Sequence, residues 1–163
     1  MKDKNVEGKH ILDDAKVKQS AVVCEDAEVS GNAKVTESAC VMGRARVSGV
    51  ARIRNNAVVS GIARVRQSAV VREYAQVNES ACVSGCAVIC GNAVVCGNAS
   101  VSGRALVCGS AVICGDARVD GRIIVAGSAV IMGGTWDGSK GSVTEGTWVA
   151  PGVPCRADDG GVE

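Results

Sequence analysis

The sequence is poor in the large residues that fill ordinary protein cores. It has no Phe, one Tyr and two Trp among 163 residues, although aromatic side chains supply much of the buried area of globular proteins. It also has only two Pro and one His, whereas Gly occurs 21 times. We therefore expect one domain whose core is narrow and is built from small aliphatic side chains.

The sequence also lacks an excess of either charge. The 18 Lys and Arg residues balance 17 Asp and Glu residues, so no net field attracts the chain to nucleic acid or to an anionic membrane. No segment reaches the roughly 18 apolar residues of a membrane span, and the first residues show no signal-peptide pattern. Nine Cys, an odd number without an export signal, favour reduced thiols over disulfides. The sequence predicts a cytoplasmic protein.

A six-residue repeat runs through most of the chain. Ala occurs from Ala15 to Ala129 at every sixth position except Ile123, and Val or Ile follows two residues after each of these positions. Because side chains two residues apart on a strand point to the same side, each hexad predicts a very short strand with both residues facing inward. Predicted core residues include Val17, Val35, Val59, Val83, Ile89, Val95, Val101 and Ile113.

The fourth residue after each Ala is predicted to form a corner. It is Gly in most hexads, including all of those from Gly85 to Gly133, and Gly readily adopts the positive φ of a sharp turn. The remaining corners carry Gln19, Glu25, Glu37, Asn55, Gln67, Glu73 and Glu79.

The residue between Ala and Val faces outward and sorts into three classes with a period of 18. Two of these classes are apolar in the second half of the chain, and the third stays polar. The apolar members are Val70, Val88, Leu106 and Ile124 in one class, and Val58, Val94, Val112 and Val130 in the other. Eighteen residues per coil predict a triangular solenoid of about seven coils over residues 11–134, in which each hexad stacks on its equivalent in the next coil.

The repeat resembles that of the hexapeptide-repeat proteins. Residues 95–100, with the sequence V-C-G-N-A-S, have the aliphatic first and small fifth residues of that family, although Gly stands third. The iterated G-N-A-x-V phrase is similar to uncharacterised members from bacteria and their phages. The resemblance implies a single-stranded, left-handed parallel β-helix. Because crossover connections are otherwise right-handed, a right-handed solenoid is the structural alternative.

We expect caps at both ends of the solenoid. Residues 1–10 are predicted to form a charged N-terminal cap, residues 135–149 a C-terminal cap, and residues 150–163 a flexible tail. The hexad count places Thr135 at an Ala position and Asp137 at a Val position. Trp136 and Trp148 occur where the pattern breaks, and we expect one of these rings to close the open core.

The resemblance to hexapeptide-repeat acyltransferases implies a catalytic His between subunits and loops inserted between coils. The only His is His10, before the first regular coil, and no insertion interrupts residues 15–134. We therefore expect no catalytic residue and no cofactor. An acyl-CoA-dependent enzyme is the alternative.

Two further groups of residues are candidate binding sites. Cys90 with Cys108, and Cys96 with Cys114, are 18 residues apart and are predicted to stack. Because the two pairs lie on different sides, they form no four-ligand zinc site, and we expect no metal. Seven Arg between residues 44 and 72 are spread over all three classes, which favours a solvated surface. Weak phosphate or nucleotide binding is the alternative, and we expect no nucleic acid partner.

The outward apolar residues are the most informative feature for function. They satisfy the strand propensity of β-branched residues, but together they form two adjacent flat stripes, and contiguous apolar surface typically marks an interface. The sequence predicts a non-catalytic structural or interaction protein that forms a homo-oligomer, either a trimer or a larger assembly. Another protein partner is the alternative occupant of these stripes.

Overall fold

The chain folds as a series of very short parallel strands. Its structure, a computed structural model, describes residues 11–18, 20–139 and 141–149. The predicted N-terminal cap and tail, with His10 and Cys155, lie outside these residues. None of the described residues is helical, so they contain no helix of membrane-spanning length.

The strands form three parallel sheets, one on each side of the fold. Sheet 1 contains, in spatial order, β1 (Lys16–Val17), β4 (Lys34–Val35), β7 (Arg52–Ile53), β10 (Val70–Val71), β13 (Val88–Ile89), β16 (Leu106–Val107) and β19 (Ile124–Val125). Sheet 2 contains β2 (Val22–Val23), β5 (Cys40–Val41), β8 (Val58–Val59), β11 (Gln76–Val77), β14 (Val94–Val95), β17 (Val112–Cys114), β20 (Val130–Met132) and β22 (Thr147–Val149). Sheet 3 contains β3 (Glu28–Val29), β6 (Arg46–Val47), β9 (Arg64–Val65), β12 (Cys82–Val83), β15 (Ser100–Val101), β18 (Arg118–Val119) and β21 (Thr135–Trp136).

The register of these sheets gives the length of a coil. Val77 lies opposite Val95, and Val95 lies opposite Ile113, so consecutive coils are offset by 18 residues. Up to β21 each strand therefore pairs with the third strand along the chain, while β20 pairs with β22, and about seven coils are stacked. These observations confirm the predicted period and show that the fold is a parallel β-solenoid.

The core is a narrow column of Ala, Val and Ile. From Ala21 to Ile131 the inward residues are at most 3% exposed. The predicted core residues Val35, Val59, Val83, Ile89, Val95, Val101 and Ile113 have no exposed surface. Val17, in the first strand, is only partly buried against this column. Because burial of one such side chain stabilises the fold by about 1.5–3 kcal/mol before entropy is subtracted, this column can support a fold that has few aromatic residues.

Several corners are stabilised by side chains rather than by glycine. Among the described residues, seven non-glycine residues with positive φ occupy corners, and Glu73, at φ 65°, is one of them. Its Oε2 accepts a hydrogen bond of 2.7 Å from the backbone N–H of Gly91 in the next coil. Asp13 accepts a corresponding bond of 3.0 Å from Gly31. In the same way, the side chain of Asn55 accepts a hydrogen bond from the backbone N–H of Glu73, Gln67 accepts one from Gly85, and Glu79 accepts one from Gly97. These bonds to the next coil offset the strain of a left-handed residue that carries a Cβ.

The last coil is one residue shorter than the others on sheet 3. Arg118 lies opposite Thr135 and Val119 opposite Trp136, a spacing of 17 residues. The expected register, with Asp137 in the Val column, is therefore wrong, because Trp136 takes the inward position. The coil shortens at Gly133 and Gly134, which both have positive φ.

Both Trp residues lie in inward columns of this last coil. Trp148 lies opposite Ile131, and Val143 forms a bridge to Val125. The two indole rings meet edge to face, with their centroids 5.7 Å apart and their planes at 78°. Trp136 packs against the core, whereas Trp148 is 46% exposed. Residues 135–149 thus add two strands and a pair of aromatic rings at the C-terminal end of the column.

Candidate functional site

The outward surface of sheet 2 is free of charge. Along each strand, the residue before the inward Val, Ile or Trp faces outward, and so does the residue after it. The residues before are Val22, Cys40, Val58, Gln76, Val94, Val112, Val130 and Thr147. The residues after are Cys24, Met42, Ser60, Asn78, Cys96, Cys114, Met132 and Val149. We name these 16 described residues the uncharged face.

The predicted interface residues of this face are shielded by their neighbours. Val58, Val94, Val112 and Val130 are half-buried, because each packs beside the side chains of adjacent coils. Strand β11 carries the amides Gln76 and Asn78 at the middle of the face. The Oδ1 atom of Asn78 is buried and has no hydrogen-bond partner among the described residues. A buried polar atom without a partner is unfavourable, so this strand is the least satisfied part of the face.

The outward surface of sheet 1 changes character along the solenoid axis. Lys16, Lys34 and Arg52 are exposed and lie directly opposite one another in consecutive coils. None of these three cations has an ion pair within the described residues. The next four outward positions are the predicted interface residues Val70, Val88, Leu106 and Ile124, which we name the apolar stripe. Its first three members are half-buried, and Ile124 is 42% exposed.

Sheet 3 has a polar outward surface with an open groove. The groove has a volume of about 440 Å³ and is lined by Asp26, Glu28, Arg44, Arg46, Ile62 and Arg64. Within it, Nε of Arg46 lies 3.6 Å from Oε2 of Glu28. Of the other Arg in residues 44–72, Arg66 follows β9 on sheet 3, whereas Arg52, Arg54 and Arg72 lie on sheet 1. Arg72 is paired to Glu73 at 2.7 Å. The arginines are therefore divided between two faces.

The described residues contain no histidine. They also contain no group of three or more His, Cys, Asp and Glu residues that could hold a metal ion. A second cavity, of about 240 Å³, lies beside Trp136 and is lined otherwise by Ile123, Thr135, Asp137, Gly138 and Ser139. The groove on sheet 3 contains two carboxylates, Asp26 and Glu28, and this second cavity contains one, Asp137.

Six of the eight described cysteines form contacting thiol pairs between adjacent coils. The thiols of Cys90 and Cys108 lie close enough to interact, as do those of Cys96 and Cys114. These are the two pairs that the spacing of 18 predicts. A third contact joins Cys24 and Cys40, which are 16 residues apart. The spacing of 18 does not predict this contact, because Cys24 follows the inward residue of its strand whereas Cys40 precedes the inward residue of the neighbouring strand.

Burial makes four of these thiols weaker acids. It raises the pKa of Cys40, Cys90 and Cys114 above the ordinary value of 9.0, and it raises the pKa of Cys96 to about 11. The neighbouring thiol and the carboxylate of Glu79 raise the pKa of Cys96 further. Because the thiolate is the nucleophile, these cysteines are poorly suited to nucleophilic catalysis at neutral pH.

Comparison of the chain with protein-family models, with curated proteins and with solved structures finds no match.

Proposed function

We propose that the chain is a non-catalytic structural or interaction protein that associates with further copies of itself. The observation that carries this proposal is the uncharged face, which presents no charge over eight strands while the other two sheets present several. A surface without charge is best complemented by another surface without charge, and a second copy supplies one.

The dimensions of the surfaces favour more than one contact per copy. Eight strands at a spacing of about 4.7 Å extend about 33 Å, and four residues across a side extend about 13 Å, so the face covers about 430 Å². A stable interface buries about 800 Å² per partner. The uncharged face alone is smaller than this, and the apolar stripe on sheet 1 offers a second, smaller contact surface. A copy that uses both surfaces has two neighbours, which fits a trimer or a larger assembly.

We further infer that the solenoid is of the left-handed hexapeptide-repeat kind. The support is the combination of three six-residue sides per coil with an inward pair of a small and an aliphatic residue. An experimental structure tests this inference directly, because a right-handed coil would exclude it.

The mass of the protein in solution tests self-association. We expect sedimentation equilibrium at micromolar concentration to give a multiple of the chain mass for the wild-type protein. The double substitution Val94→Arg and Val112→Arg introduces two charges on neighbouring strands of the uncharged face and should give monomers. Ser102→Arg is the matched control, because Ser102 is also half-buried and outward but lies on sheet 3. A monomeric wild-type protein, or an unchanged mass for the double variant, would overturn the proposal.

A further inference from the structure

Sulfur atoms are grouped at two places on the uncharged face. At the first, Cys24 lies opposite Met42 in the next coil, and Cys40 precedes Met42 by two residues on the same side of β5. The thiols of Cys24 and Cys40 lie close enough to interact. We name these three residues the N-terminal sulfur cluster.

The second group repeats this composition near the other end of the face. Cys96 stacks on Cys114, and Cys114 lies directly opposite Met132. The thiols of the two cysteines lie close enough to interact. All three residues are half-buried. We name these residues the C-terminal sulfur cluster.

The ligands present in each cluster select a particular class of metal ion. Zinc in structural sites takes four ligands, whereas the described residues nowhere bring together three or more His, Cys, Asp and Glu. Two thiolates with a thioether form a soft set, and soft sulfur ligands favour Cu(I). Cu(I) is satisfied by two or three sulfur atoms, so each cluster offers enough ligands.

The spacing of the strands also suits an ion between the two thiols. Neighbouring strands are about 4.7–4.9 Å apart, and two metal–sulfur bonds of about 2.3 Å placed end to end span about 4.6 Å. A disulfide would require the sulfur atoms to approach to about 2.05 Å. In the C-terminal cluster, where Cys96 stacks on Cys114, an ion can therefore bridge the two thiols with little movement of the coils. In the N-terminal cluster the two thiols lie diagonally across neighbouring strands, because Cys40 is opposite Val22.

The local charge favours a cation at both clusters. The carboxylate of Glu25 acts on Cys40, and that of Glu79 acts on Cys96 and Cys114. The third thiol pair, Cys90 with Cys108, lies on sheet 1, where the guanidinium of Arg72 acts on Cys90 more strongly than the carboxylate of Glu73 does. Its column continues with Ala126 instead of a methionine.

We propose that the uncharged face contains two binding sites for Cu(I), one at each sulfur cluster. On binding, the two thiols of a cluster release two protons to solvent and form two sulfur–copper bonds. The ion enters and remains as Cu(I), so no electron is transferred and no oxidant is required. The thioether of Met42 or Met132 is the third ligand. Because the clusters lie on the face that we assign to self-association, the proposal is tested at protein concentrations below those at which the mass increases.

An anaerobic competition titration tests the proposal. The reduced protein is titrated with Cu(I) in the presence of the coloured chelator bicinchoninate, and far-ultraviolet circular dichroism verifies that each variant is folded. We expect Cys24→Ser and Cys96→Ser each to lose one equivalent of Cu(I), and the double variant to retain two fewer equivalents than the wild-type protein. Cys82→Ser is the control, because Cys82 is half-buried on sheet 3 outside the thiol pairs, and it should retain the wild-type number.

Two results would overturn the proposal. One is a wild-type protein that withholds no Cu(I) from the chelator, and the other is a double variant that retains as many equivalents as the wild-type protein. Met132→Leu preserves side-chain size while removing the thioether, and we expect it to lower the affinity of one site several-fold without changing the stoichiometry. Unchanged affinity in both Met132→Leu and Met42→Leu would exclude the thioether as a ligand.

Discussion

Replacement of Glu73 by glycine and by alanine should reverse the usual order of stability. Glu73 holds a positive φ of 65° at its corner, and its carboxylate accepts hydrogen bonds from the Gly91 backbone and from Arg72. Both substitutions remove these bonds. Only glycine also relieves the strain of a Cβ in the left-handed region, so we expect Glu73→Gly to be more stable than Glu73→Ala.

The magnitude follows from two opposing contributions. A residue with a Cβ in the left-handed region is strained by about 1–2 kcal/mol. Glycine has more freedom in the unfolded chain, which lowers the folding stability of a glycine variant by about 0.4–1 kcal/mol relative to an alanine variant. The difference favours glycine by about 0.8 kcal/mol. Loss of the hydrogen bond to Gly91 destabilises both variants by about 1 kcal/mol. Glu73→Ala should therefore lose about 1 kcal/mol, and Glu73→Gly should lie close to the wild-type protein.

Urea denaturation followed by circular dichroism measures these free energies of unfolding. Gln76 provides the control pair, because it is an outward residue of the neighbouring strand β11 and is absent from the residues with positive φ. There we expect the ordinary order, with Gln76→Ala at least as stable as Gln76→Gly. If alanine were as stable as glycine at position 73, the account of the corners as strained and hydrogen-bonded would be refuted.

Three other substitutions test the core, the charged ladder and the thiols. In urea denaturation, Ile113→Ala should destabilise the solenoid by about 2–5 kcal/mol and Ile113→Val by about 0.5–1.5 kcal/mol, because Ile113 has no exposed surface. Equal effects of the two substitutions would contradict close packing of the core. Lys34→Glu should stabilise the fold by about 0.2–1 kcal/mol for each of the two ion pairs that it forms with its neighbours Lys16 and Arg52. Added salt should weaken this gain, and a loss of stability at low salt would contradict the expectation. Cys96 has a folded pKa of about 11, whereas the unfolded thiol releases its proton near 9.0. The unfolded chain then binds fewer protons, so the free energy of unfolding should fall as pH rises from about 9 towards about 11, and it should fall less in Cys96→Ser; identical pH profiles would exclude this thiol as the cause.

Much of the solenoid could be predicted from the sequence because its geometry has a short, strict period. The spacing of two between Ala and Val fixes the inward face of each strand, and the 18-residue period of the outward residues fixes the number of sides. Both signals depend only on the alternation of side chains along a strand. The pairing of Val95 with Ile113, for example, follows directly from this period.

The features that escaped prediction depend on contacts between coils. The hexad count alone does not reveal that the last coil shortens at Gly133 and Gly134, which moves Trp136 into the inward column. Nor does the spacing along the chain bring Cys24 together with Cys40, since these residues meet diagonally across two strands. The acidic and amide corners were recognised as exceptions to glycine, but their hydrogen bonds to the next coil become evident only when the coils are stacked.

The central claim is that copies of the chain meet through the uncharged face, and concentration-dependent hydroxyl-radical footprinting tests it most directly. Met42 and Met132 report on that face, whereas Val50 is 48% exposed at the corner between sheets 1 and 3 and serves as the reference. We expect oxidation of both methionines to fall relative to Val50 as the protein concentration rises through the range in which the mass increases. Methionine oxidation that stays constant while the mass increases would show that the copies meet elsewhere and would contradict the account.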